Sequence, residues 1–152
     1  MATSSYKVAP EIQQENLPSL DITQCLVAGG FIFNKQGEML LLRRAPSDSF
    51  GGFWDYPGGS IEKTDARLLD GLSREVAEET GLIITEVFEG TDSVKLSPEH
   101  DAFHWITWEE FQQSMDAIDE GGSAKYTFKK GEESEVKKAW KKYQLSNDRV
   151  SS

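Results

Sequence analysis

The chain has 152 residues, of which 38% are hydrophobic and 28% charged, with a formal net charge of −10. That length suits one compact domain. The acidic balance argues against duplex nucleic acid or an anionic membrane as the main partner, and leaves a small phosphate ligand open if arginines or cations bridge it to the protein.

Residues 1–21 are polar, contain Pro10 and Pro18, and read as a mobile lead-in to a domain over 22–145, with 146–152 as a C-terminal tail. Met1 to Gln24 has no cationic start followed by an apolar stretch, so no secretory signal is expected. The lone cysteine, Cys25, excludes an intrachain disulfide and favours a reducing, cytoplasmic setting. Cys25 to Phe33 is the longest apolar run, shorter than the about 20 residues of a membrane helix.

Residues 22–33 read as a strand. Asn34-Lys35-Gln36-Gly37 supplies turn chemistry, and Glu38 to Arg43 resumes as the second strand of a hairpin. Ala45 to Ser60, rich in glycine and aromatics, reads as a loop. The spacing of Leu69, Leu72 and Val76 predicts a helix over 65–80, capped by Thr64 or Asp65 and closed by Gly81. Ile83 to Phe88 and Ala102 to Thr107 read as strands. Thr107-Trp108-Glu109-Glu110 is a capping box that opens a helix to about Asp119. A last helix, about Glu132 to Gln144, carries Val136, Ala139, Trp140 and Tyr143 on one face and Glu–Lys pairs on the other.

The stretch that carries chemistry is Arg74-Glu75-Val76-Ala77-Glu78-Glu79-Thr80-Gly81-Leu82. On a helix, Glu75, Glu78 and Glu79 stand at i, i+3 and i+4 and share one side, where like charges repel unless something neutralises them. Hard cations such as Mg²⁺ prefer oxygen ligands and usually keep waters and a phosphate in their shell. An ordinary solvated acidic face has the same spacing. What separates the two readings is the upstream bend Tyr56-Pro57-Gly58-Gly59, where backbone can approach a ligand closely.

Gly59 to Leu82 resembles the Nudix box, G-x5-E-x7-R-E-U-x-E-E-x-G-U with U aliphatic, and Arg74 to Leu82 matches its second half at every defined position. Trp54-Asp55-Tyr56-Pro57-Gly58-Gly59 resembles the W-x-x-P-G-G that leads into the box in many members. The resemblance covers residues 24–120. It implies an α/β fold, a mixed sheet sandwiched between helices. It also implies hydrolysis of a pyrophosphate bond in a nucleoside diphosphate linked to another group, with Mg²⁺ or Mn²⁺ as cofactor. Carried over, Glu75, Glu78, Glu79 and the carbonyl of Gly59 become metal ligands, and Arg74 orients the carboxylates. Glu79 and Glu99 become the candidate bases that take a proton from the attacking water.

Two departures qualify the resemblance. The first acidic position of the box falls at Asp65, and eight residues rather than seven separate it from Arg74. Only fourteen positions, Ile83 to Leu96, precede Ser97-Pro98-Glu99-His100, too few for the further central strand that members usually carry. A sheet lacking that strand implies the alternative of an impaired Nudix-like domain that binds nucleotides or regulates.

Arg43 and Arg44 end the second strand, and their guanidinium forks suit phosphate oxygens. As strand neighbours they point oppositely, so one of them faces solvent. Trp54 is a candidate for stacking on a base, against the plainer reading of structural packing. The segment around Glu99 resembles the one that supplies an extra metal-side glutamate in some members, including dinucleoside-polyphosphate hydrolases. His100 and His104 read as packing residues. The substrate expected is a small nucleotide diphosphate derivative whose identity lies in loops outside the box.

Overall fold

Met39, Leu40, Leu41 and Leu42 are all fully buried, and the molecule is organised around that run. In a computed structural model that describes residues 26–83 and 94–150, these residues open strand β2, Met39–Arg44. Around it lie β1 (Val27–Gly29), β3 (Trp54–Asp55), β4 (Gly58–Ser60) and β5 (His100–Ile106), with helices α1 (Leu68–Thr80), α2 (Trp108–Asp119) and α3 (Glu132–Val150).

Neighbours on a strand point to opposite faces, so β2 serves two cores. Met39 and Leu41 pack with Trp54, Ile106, Phe111, Val136 and Trp140, beneath α2 and α3. Leu40 and Leu42 pack with Val76 and Leu82 of the α1 side, along with Leu72. This is the expected α/β sandwich, a sheet with helices on both faces. The described ladders are antiparallel: β3-β2-β5 in one sheet and β1-β4 in another. In the β2–β5 ladder the register slips between Arg43, opposite Ala102, and Arg44, opposite His100.

The hairpin holds only at its tip. Phe33 bridges Met39, the Asn34 side chain accepts from the Gln36 and Glu38 N–H groups, and Gly37 turns with φ 79°. Below the tip, β1 leaves β2 and pairs with β4, Val27 opposite Ser60 and Gly29 opposite Gly58. The glycines of the bend explain this correction. A Cβ on Gly58 would collide with the Ala28 carbonyl and the Gly29 backbone, so only glycine lets the two segments approach this closely. The stretch Ala45 to Ser60, expected as loop, thus contributes two short strands.

Helix α1 starts later than its spacing suggested. Its N-cap is Arg67, in extended conformation and without a side-chain cap bond. Asp65 is engaged elsewhere: its carboxylate accepts from the Glu62 N–H at 2.8 Å and pairs with Arg74. The C-terminal end is as expected, with Gly81 at φ 71° donating its N–H to the Ala77 carbonyl. Helix α2 opens on a complete Thr107–Glu110 capping box. Helix α3 runs past Gln144 to Val150 and buries Val136, Ala139 and Trp140. Among the described residues no helix is long and apolar enough to cross a membrane. The lead-in and, apart from Ile83, the strand expected at Ile83 to Phe88 lie outside the described residues. Most of the shortened segment Ile83 to Leu96 lies outside them as well.

Candidate active site

The three glutamates of α1 share a side of the helix, yet their surroundings differ sharply. The Glu78 side chain is 59% exposed, that of Glu75 16%, and Glu79 as a residue only 7%. Val76, on the neighbouring face, is locked into the core, which fixes the rotation of the helix and drives Glu79 inward.

Glu79 meets the glycine bend directly, its Oε2 accepting from the Gly58 N–H at 2.8 Å. Burial pushes its carboxyl up to about 7; the Gly58 bond opposes the shift, and the charges of Glu99, Asp55 and Glu75 add to it. Glu75 lies over the next residue, where a Cβ on Gly59 would strike its carboxylate. The two glycines of the bend therefore contact two different glutamates.

Arg74 gathers this side. Its Nη2 donates to the Ser60 carbonyl and to Asp65 Oδ2, both at 3.0 Å, and its Nε donates to Asp65 Oδ1 at 3.2 Å. Its Nη1 reaches Glu75 Oε1 at 2.9 Å and Glu78 Oε2 at 3.5 Å. The hydrogen bonds from Arg74 hold the Asp65 carboxyl below its ordinary range. The extra residue between Asp65 and Arg74 is absorbed ahead of Leu68, and the pair still closes.

The segment that begins near Lys95 is strapped along the end of α1. Lys95 N–H donates to the Thr80 carbonyl at 2.8 Å and Ser97 N–H to the Glu79 carbonyl at 3.1 Å. This brings Glu99, which is exposed, and His100, which is buried, against Glu79. His100 Nε2 stands 4.0 Å from Glu79 Oε1, and one ligand atom from each of Glu79, Glu99 and His100 lies within 4.8 Å of the others. Burial, followed by the nearby Arg44 charge, lowers the imidazole pKa and favours the neutral ring.

The two arginines diverge. Arg44 donates to the Ser49 carbonyl and Asp48 and lies 3.5 Å from Asp55, on the carboxylate side. Arg43 makes a forked pair with Asp101 at 2.7 and 3.1 Å. Its side chain is 41% exposed, and its guanidinium sits 5.9 Å over the Trp54 ring. Trp54, 5% exposed, belongs to the core, with His104 at 4.7 Å and Tyr126 at 5.0 Å between ring centroids. Little indole surface is left to meet a base.

Two residues of the site were not singled out for it by sequence. Asp55 faces Arg44 and Lys129 and adds its charge to the field at Glu79. Strand alternation could have found it, since a buried Trp54 turns Asp55 to the other face. His100 gave no such signal, because its burial arises from packing between distant segments.

This donor set fits a divalent cation. Glu79 is a buried carboxyl whose neighbours Glu75, Glu99 and Asp55 are acids, an arrangement that costs free energy until positive charge enters. Oxygen donors of this kind suit Mg²⁺ and Mn²⁺.

Comparison with known proteins agrees with the geometry. The NUDIX domain family model matches residues 23–140. The chain is 31% identical over 67 residues to an 8-oxo-dGTP diphosphatase of Proteus vulgaris, covering 44% of this chain and 59% of that protein. It is 36% identical over 58 residues to an 8-oxo-dGDP phosphatase of Danio rerio, covering 38% of this chain and 17% of that protein. The chain thus spans less than two thirds of either relative. Among solved structures, the MutT protein from Methanosarcina mazei Go1 aligns with a TM-score of 0.58 at 26% identity, over 85% of this chain and 99% of that one.

Proposed function

This chain belongs to the NUDIX domain family, and on that premise we propose that it hydrolyses a pyrophosphate bond in a nucleoside diphosphate linked to another group, with Mg²⁺ or Mn²⁺ as cofactor. The observation that carries the proposal is the buried Glu79 carboxylate, hydrogen-bonded to Gly58 and ringed by acids. The two curated relatives, both named for action on 8-oxo-guanine nucleotides, support a small nucleotide substrate. The net charge supports neither a duplex nor a membrane as partner, and the single cysteine supports a cytoplasmic setting.

Glu75, Glu78, Glu79 and the Gly59 carbonyl are the proposed cation ligands. When bound, a divalent cation supplies charge neutralisation at the diphosphate and a lowered pKa for water. The chain's own groups do the rest. Arg74 holds Glu75 against the bend through their 2.9 Å bond. Glu79 is pinned by Gly58, which suits a ligand, whereas Glu99 is exposed, where water can reach it, which suits the base. Arg44, on the carboxylate side, is the arginine offered to a phosphate oxygen. Arg43 lies against Trp54, and Trp54 supports the site from within the core.

The test is a panel of oxidised nucleotides, dinucleoside polyphosphates, nucleotide sugars and ADP-ribose, assayed for Mg²⁺- or Mn²⁺-dependent release of phosphate, pyrophosphate or nucleotide products. Glu78→Gln and Glu79→Gln are expected to lose activity by orders of magnitude while the fold survives. Unchanged rates in both variants would remove the carboxylates from the mechanism. Nucleotide binding without turnover of any substrate would instead support the binding-module alternative.

A further inference from the structure

We infer that Glu79, Glu99 and His100 form a mixed oxygen–nitrogen cation site that prefers a first-row transition ion, Mn²⁺ or Co²⁺, to Mg²⁺. The inference rests on the proposed cation role of Glu79 and adds two ligands from outside the box, Glu99 and His100; in it Glu99 serves the cation rather than acting as the base.

His100 is 6% exposed, and its Nδ1 is buried with no hydrogen-bond partner among the described residues. Its Nε2 faces Glu79 Oε1 across 4.0 Å, too far for a hydrogen bond. A buried Nδ1 without a partner costs free energy and leaves the ring without a hydrogen bond at that atom, while Nε2 and the Glu79 carboxylate stand apart by a distance that a cation between them would close. Glu99 completes a group whose ligand atoms fall within 4.8 Å of one another. A cation with bonds of about 2.0–2.2 Å spans nearly that distance between opposite ligands, and a small side-chain adjustment closes the remainder.

The backbone holds the three residues in register. Ser97 N–H binds the Glu79 carbonyl at 3.1 Å, His100 N–H the Ser97 carbonyl at 3.1 Å, and Ala45 N–H the Glu99 carbonyl at 2.8 Å. The turn bearing Glu99 and His100 is therefore tied to both α1 and the end of β2. Ligand type then selects the ion, since carboxylate oxygens alone suit Mg²⁺, whereas an imidazole nitrogen favours transition ions.

Pulsed electron paramagnetic resonance of Mn²⁺ bound to the full chain tests this without an activity assay. The wild type and His104→Gln should both show hyperfine coupling to an imidazole nitrogen. His100→Gln should lose that coupling and bind Mn²⁺ about tenfold more weakly, while Mg²⁺ affinity moves far less. Mn²⁺ bound at the acidic site without nitrogen coupling in the wild type would overturn the inference and leave the hydrolase reading standing. No Mn²⁺ binding by the folded wild type would overturn both. Should His100→Gln not fold, heavy-nitrogen histidine in the His104→Gln chain labels His100 alone, and an unchanged coupling pattern would equally overturn the assignment.

Discussion

The Glu79 carboxylate accepts a 2.8 Å hydrogen bond from the Gly58 N–H across 21 positions of sequence. That bond joins the helix to the glycine bend and places the most buried acid of the chemical constellation beside the Gly59 backbone. One amide dipole does not offset the burial and the surrounding negative charges, and the carboxyl rises from 4.5 to about 7.

The first prediction concerns pH. Between 4.5 and about 7 the folded Glu79 keeps a proton that the unfolded chain has released. Stability of the cation-free protein should therefore fall as pH rises through that window, by roughly 3 kcal/mol from this group. Buried His100, with its lowered pKa, acts in the opposite sense below its ordinary 6.5. Denaturant unfolding in chelator isolates Glu79 as the difference between wild type and Glu79→Gln. The variant should gain on the wild type as pH rises, and a constant difference across the window would refute the claim.

The adjacent glycines should fail differently. Gly59→Ala sets a methyl against the end of the Glu75 side chain, which can swing aside, so the fold should persist while cation affinity and turnover drop. Gly58→Ala meets the Ala28 carbonyl and the Gly29 Cα, backbone that cannot yield without parting β1 from β4. It should cost about 3 kcal/mol or more of stability. Thermal melts alongside cation titration separate the two outcomes, and equal losses of stability would contradict the geometry.

Arg74 should act through geometry rather than charge. Arg74→Lys keeps the cation but loses the fork that reaches Asp65, Ser60 and Glu75 together. Turnover should fall about 10–100-fold with little change in KM. A double-mutant cycle with Asp65→Asn should return a coupling of about 1–2 kcal/mol. Additive effects would mean that the pair carries no energy.

Trp54 offers a discriminating substitution. As a core residue packed on His104 and Tyr126, Trp54→Phe should lower stability by about 1–3 kcal/mol and leave KM nearly unchanged. A raised KM at unchanged stability would show that the indole stacks on the substrate's base after all.

Local signals carried much of this fold. The spacing of Leu72 and Val76, the left-handed Gly81, the Thr107–Glu110 box and the Val136–Trp140 face each depend on residues within a few positions of one another, and each reads directly from the chain. The pairing of Val27–Gly29 with Gly58–Ser60 does not. It joins segments about thirty residues apart, and Gly58-Gly59-Ser60 has no β-branched or alternating pattern to announce a strand. The start of α1 was missed because Asp65, a good capping residue by type, is bound to Arg74 instead. The unequal burial of three glutamates on one helix side, and the approach of His100 to one of them, are set by which segments pack on that side. Residue spacing cannot express that.

The four buried side chains of β2 divide evenly between the layers, two to each. Neither layer can come apart while the other stands, because the same short ribbon would have to leave both. Heating should therefore remove the carboxylate cradle and the distant α2–α3 pair in a single cooperative event. Damage beneath Trp140, in the layer opposite Val76 and Leu82, would reach the carboxylates of α1 as surely as damage beside them.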